Sequence, residues 1–99
     1  MKLNNKKKIS FLDNNSLNNV QKLLKILEYL RDPEKGCAWD IKQTFSSISP
    51  YTIEEAYEVA QAIQDGNFDD LSEELGDLLL QVVFLSQIAN EKKLFRFDD

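Results

Sequence analysis

The sequence has no histidine, one cysteine (Cys37), three glycines and two prolines, and no apolar run long enough to span a bilayer. Without histidine, Ser-His and Cys-His nucleophilic catalysis, histidine general bases and histidine-containing zinc sites are excluded. A single cysteine makes neither an intrachain disulfide nor a C-x-x-C pair, which fits a reducing cytoplasm; with no base near it in sequence, Cys37 reads as a small buried apolar residue. The scarcity of glycine and proline favours long helices over a many-turned β fold. Positive charge is also missing where it would matter, since no Lys or Arg occurs from Gln43 to Asn90. The charged start Met1–Lys8 is followed by no apolar segment of the kind a secretory signal has, and no membrane association is expected.

At 99 residues and 42% apolar, the chain is one domain's worth of sequence with a small core, for which help from a second subunit is expected. Residues 1–15 are rich in Lys and Asn, carry a formal charge of +3 and read as a flexible arm; residues 16–99, at −8, form the helical domain. A nucleic-acid polymer needs a basic stripe, and this body offers the reverse.

Apolar periodicity predicts three helices. The first begins at Ser16 as N-cap, carries Leu17, Val20, Leu24, Leu27 and Leu30 as a stripe, and stops near Asp32-Pro33. A long connection over residues 33–50 holds Trp39 and Phe45; Trp39 is either a functional contact or a plug at the end of the bundle. A second helix starts at Pro50 and ends near Asp65, with Gly66 as its stop, and a third runs from about Asp69 to Lys92.

Nine acidic residues lie between Glu54 and Asp77, and their spacing says more than their number. Glu54-Glu55-x-x-Glu58 and Glu74-x-x-Asp77 each set carboxylates three or four residues apart, on one helix face. On a helical wheel Glu55 falls between Val59 and Ala62 and Glu58 on the arc's edge, while Glu74 and Asp77 project into the apolar arc of the third helix. Four carboxylates meeting in a partly apolar place, with no cation in sequence to pair with, need a divalent metal; an i, i+3 pair from each of two helices suits Mg²⁺, with Mn²⁺ as the alternative. Glu54 shares a turn with Glu58 and is a candidate for a supporting role or a second metal. An EF-hand at Asp65 fails, because its sixth position is Asp70 where glycine is needed and its twelfth Gly76 where glutamate is needed, and a di-iron bundle fails for want of histidine.

Glu54-Glu55-Ala56-Tyr57-Glu58, fifteen residues, then Glu74-Leu75-Gly76-Asp77 resembles the signature of the MazG family of nucleoside triphosphate pyrophosphohydrolases. Arg31–Thr44 resembles the family's loop, Ser49–Thr52 leads into its metal helix, and Phe68–Phe84 also matches closely, so the likeness covers about residues 17–99. It implies an all-α fold, a helical bundle completed by dimerisation, and hydrolysis of an NTP or dNTP to the monophosphate and pyrophosphate. It also implies a cytoplasmic homodimer or higher homo-oligomer. Metal falls to Glu55, Glu58, Glu74 and Asp77, with Glu54, Glu55 and Glu58 as the catalytic group and Glu54 orienting water. Lys42, Lys92, Lys93 and Arg96 are the candidates for phosphate, and Trp39 or Phe45 for stacking on the base. Ala38 stands where the family has proline and Phe45 where it has histidine. The family continues with a further helix and basic residues beyond the position of Asp99, so the alternative expectation is a truncated, catalytically weak nucleotide-binding or helical dimerisation module.

Overall fold

The computed structural model describes residues 13–99, so the flexible arm expected over residues 1–15 lies outside the described residues except for its last three. Four helices follow: α1 (Asn19–Leu30), α2 (Ala38–Lys42), α3 (Phe45–Asp65) and α4 (Phe68–Glu91). Among the described residues there is no strand, and the fold is all-α. The chain divides into two compact units, one ending at Gln43 and the other running from Thr44 to Asp99.

In the first unit α1 starts two residues beyond the expected cap. Ser16 is occupied in a turn, its backbone N–H and its hydroxyl both donating to Asn14 Oδ1. Asn18 caps instead, accepting from the Gln21 N–H while Gln21 Oε1 accepts from the Asn18 N–H. These reciprocal bonds satisfy two of the donors that a helix start leaves open. Leu27 and Leu30 are the buried residues of its stripe.

The stretch read as a long connection is ordered by its own hydrogen bonds. Asp32 Oδ1 accepts from the Glu34 and Lys35 N–H groups, Gly36 N–H donates to Asp32 O, and Cys37 N–H donates to Leu30 O at 2.8 Å. Cys37 is half-buried. Gly36 passes so close to the end of α1 that a Cβ there would sit 2.1 Å from Leu30 O. Backbone cannot yield as a flexible side chain does, so Gly36→Ala is expected to cost roughly 1–3 kcal/mol. A melting temperature equal to wild type would show that this turn is more pliable than its geometry implies.

The second unit is a helical hairpin. α3 begins five residues before Pro50, because Thr44 and Ser47 form a reciprocal cap: Ser47 N–H donates to Thr44 Oγ1 and Thr44 N–H to Ser47 Oγ. Pro50 therefore lies inside the helix and not at its first position. Its ring holds φ at a helical value, and the bond it cannot make falls on an exposed turn where water substitutes. Gly66, at φ 67°, ends α3, and Asn67 caps α4 by accepting from Asp70 N–H. The Gly66-Asn67 turn reverses the chain so that α4 packs back along α3. Ile48 and Ala62 on α3, and Val83, Phe84, Ile88 and Ala89 on α4, are buried. The all-round apolar surface expected of α4 remains partly uncovered, with Leu75, Leu79 and Val82 exposed beside Ile53, Tyr57 and Ile63 of α3.

Candidate metal centre

The hairpin turns the two sequence clusters toward one another. Glu55 and Glu58 stand one turn apart on α3, and Glu74 faces them from the second turn of α4. One carboxylate oxygen from each of the three lies within 4.8 Å of the others. Glu58 is exposed, whereas Glu55 and Glu74 are half-buried. Glu55 Oε2 and Glu74 Oε2 are sealed from solvent without a hydrogen-bond donor, as is Gln81 Oε1 two turns along α4. Beside the cluster is an open recess of about 150 Å³ lined by Glu58, Gln61, Ala62, Asp65, Asp70 and Glu74.

Crowding of like charge shows in the acid–base behaviour. Glu74 is pushed up from 4.5 to about 7, first by its hydrogen bond with Glu58, then by burial and by the charges of Glu58 and Glu55. Glu55 is also raised, by burial and by the charges of Glu58, Asp77 and Glu54, against a hydrogen bond from Glu74 that lowers it. Near neutral pH Glu74 is therefore partly protonated. A proton covers only part of the demand, since the two sealed oxygens still lack partners. Hard, anionic oxygen donors in this number fit a divalent cation such as Mg²⁺.

Asp77 stands outside the three-way cluster, although its charge reaches Glu55. Glu54, exposed on the neighbouring position of α3, acts on Glu55 in the same way. Trp39 and Lys42 belong to α2 in the first unit. Phe45 is the first residue of α3, ten residues before Glu55. Lys92 caps the far end of α4; eighteen residues of helix separate it from Glu74, about 27 Å at the helical rise. Lys93 and Arg96 line a separate cavity of about 270 Å³ there with Asn90, Leu94, Phe95 and Asp99. In one copy of the hairpin these three cations and the carboxylates are not brought together.

Gln61, Asp65 and Asp70, none of them among the candidate site residues read from the sequence, also line the recess. The helical offset of three or four from Glu58 and Glu74 was the available signal for Gln61 and Asp70.

Residues 43–99, which contain the whole hairpin and its carboxylates, match the MazG nucleotide pyrophosphohydrolase domain. The chain belongs to this family. Outside the family match, a nucleoside triphosphate pyrophosphohydrolase of Escherichia coli (strain K12) is 57% identical over 83 residues, covering 84% of this chain and 32% of that protein. The nucleoside triphosphate pyrophosphohydrolase/pyrophosphatase MazG of Thermotoga maritima is 54% identical over 79 residues, covering 80% and 31%. The uncharacterised protein YabN of Bacillus subtilis is 47% identical over 74 residues, covering 75% and 15%. This MazG chain thus spans about a third, or less, of the length of these relatives.

Proposed function

We propose that this chain is a Mg²⁺-dependent nucleoside triphosphate pyrophosphohydrolase, converting an NTP or dNTP to the monophosphate and pyrophosphate in the cytoplasm. The observation that carries the reading is the cluster of Glu55, Glu58 and Glu74, two of them with sealed oxygens that have no donor. Two of the relatives compared above bear that activity in their names. No helix of the described residues is long and apolar enough to cross a membrane.

Glu55, Glu58 and Glu74 would hold the cation, with Asp77 joining as a fourth ligand by a change of side-chain rotamer. A bound divalent cation supplies charge neutralisation for the triphosphate and a more acidic attacking water. The chain's part is to hold these carboxylates in place beforehand, with Glu74 giving up its proton as the cation binds. Glu54 orients the water from the neighbouring helix position. Trp39 or Phe45 is the candidate for stacking on the base, and Lys42 for contacting the phosphates. At about 27 Å from Glu74, Lys92 and its neighbours Lys93 and Arg96 serve such a site only from a second copy.

That geometry agrees with a homodimer or higher homo-oligomer, as does the exposure of Tyr57 (73%), Ile53 (57%) and Val82 (45%). Leu79→Glu or Val82→Glu is expected to dissociate the assembly at micromolar concentration or to unfold it; a stable wild-type monomer in sedimentation would refute the oligomer. A helical dimerisation module without catalysis is the second reading, favoured by the same exposed residues, but it has no use for unpartnered carboxylates. Pyrophosphate release, measured on the purified chain with the common NTPs and dNTPs, separates the two. Turnover that EDTA stops and excess Mg²⁺ restores is expected, and no release with any nucleotide would favour the module.

A further inference from the structure

The first unit places the Arg31 guanidinium where it meets backbone oxygens. Arg31, the C-cap of α1, sends its guanidinium Nη1 to the carbonyl oxygens of Asp40 and, at 3.1 Å, Gln43. Asp40 lies in α2 and Gln43 is its C-cap, at the end where a helix leaves carbonyls short of intrahelical donors; Asp40 O also accepts from the Gln43 N–H. A five-residue helix is too short to persist by itself in water. The Gln43 amide also holds this end, donating to Trp39 O at 2.9 Å. The bridged segment carries Trp39, whose side chain is 54% exposed on an otherwise tightly tied turn. An indole is a costly residue to leave in water unless a ligand or partner covers it, and a fixed indole binds with less ordering cost than a mobile one.

We propose that Arg31 is a positioning residue: by joining Asp40 O and Gln43 O it locks α2, and with it the Trp39 indole, in the orientation used to stack a nucleobase. The base as occupant rests on the function proposed above; the lock on Trp39 does not. Arg is suited to this because the planar guanidinium holds the two N–H donors of Nη1 in fixed directions, whereas a lysine ammonium rotates freely on a flexible stem.

Trp39 is the only tryptophan, so its fluorescence reports α2 alone. In metal-free protein without nucleotide, Arg31→Ala is expected to lower Trp39 anisotropy and to raise acrylamide quenching about threefold or more. Arg31→Lys should fall between, and the α-helical circular dichroism should stay near wild type because α3 and α4 supply most of it. Adenosine monophosphate, titrated without metal, should bind Arg31→Ala about tenfold more weakly, the scale of one lost base–aromatic stack. In the Trp39→Ala background, Arg31→Ala should cause no further loss, because Arg31 acts through the indole. Should Arg31→Ala fail to fold, Arg31→Lys supplies the same comparison in milder form.

Unchanged anisotropy and quenching in both Arg31 variants would overturn the lock. An equal loss of nucleotide affinity with and without Trp39 would overturn the route through the indole. If the wild type binds no monophosphate while the fluorescence changes occur as expected, the lock stands and the base-stacking role fails.

Discussion

Replacing one carboxylate of the cluster should abolish turnover while leaving the metal-free fold as stable as before, or more so. Glu58→Gln is the cleanest case, since Glu58 is exposed and its charge helps to raise both Glu55 and Glu74. Removing that charge relieves repulsion in the apo protein and takes away a metal ligand. Turnover is expected to fall by about 10²-fold or more, the scale found when a group stabilising transition-state charge is lost. Asp77→Asn should behave alike if Asp77 is the fourth ligand. A structural ion-pair network responds the opposite way, for deleting one partner of a buried pair destabilises by about 3–5 kcal/mol. Thermal melts with and without Mg²⁺, run beside the pyrophosphate assay, decide between them. Variants that melt lower without metal yet hydrolyse nucleotide at the wild-type rate would remove the cluster from the active site.

Without metal, stability should decline as pH rises from about 5 to 7, and Mg²⁺ should reverse the trend. The sign follows from proton linkage. Glu74 titrates near 7 in the folded chain and at 4.5 when unperturbed, so between those values the folded state keeps a proton that the unfolded state has released. Raising the pH through that window favours the unfolded state, and Glu55, raised as well, adds in the same direction. A cation takes the proton's place, so its binding should release protons near neutrality and tighten as pH rises. Melts at several pH values, each with and without Mg²⁺, test both halves. A metal-free melting temperature that climbs steadily from pH 5 to 8 would contradict the raised Glu74.

The carboxylates could be read from the sequence because their meaning is local: spacing of three or four on a helix, set against apolar neighbours and with no cation within reach. The hairpin added what spacing cannot contain. It brought Glu74 to Glu55 and Glu58, left Asp77 to the side, and built the recess from Gln61, Asp65 and Asp70. Helix starts were misplaced where side-chain caps decided them. Ser16 looked like a cap but is held by Asn14, and Thr44 with Ser47 started α3 early enough to place Pro50 inside it. The connection over 33–50 hid α2 because five residues carry no helical period, and because Arg31, Asp32 and Gly36 order that segment through backbone oxygens and close approach. Such contacts leave no trace in apolar patterning.

Mn²⁺ binding followed by electron paramagnetic resonance on wild type and Glu74→Gln tests the central claim most directly. Glu74 has one oxygen sealed without a donor and lies within reach of both glutamates of α3, so its replacement touches the cluster and little else. The wild-type chain should bind Mn²⁺ in competition with Mg²⁺, and Glu74→Gln should lose that binding while keeping its helical circular dichroism. Equal Mn²⁺ binding by the two proteins would contradict a metal centre at Glu55, Glu58 and Glu74.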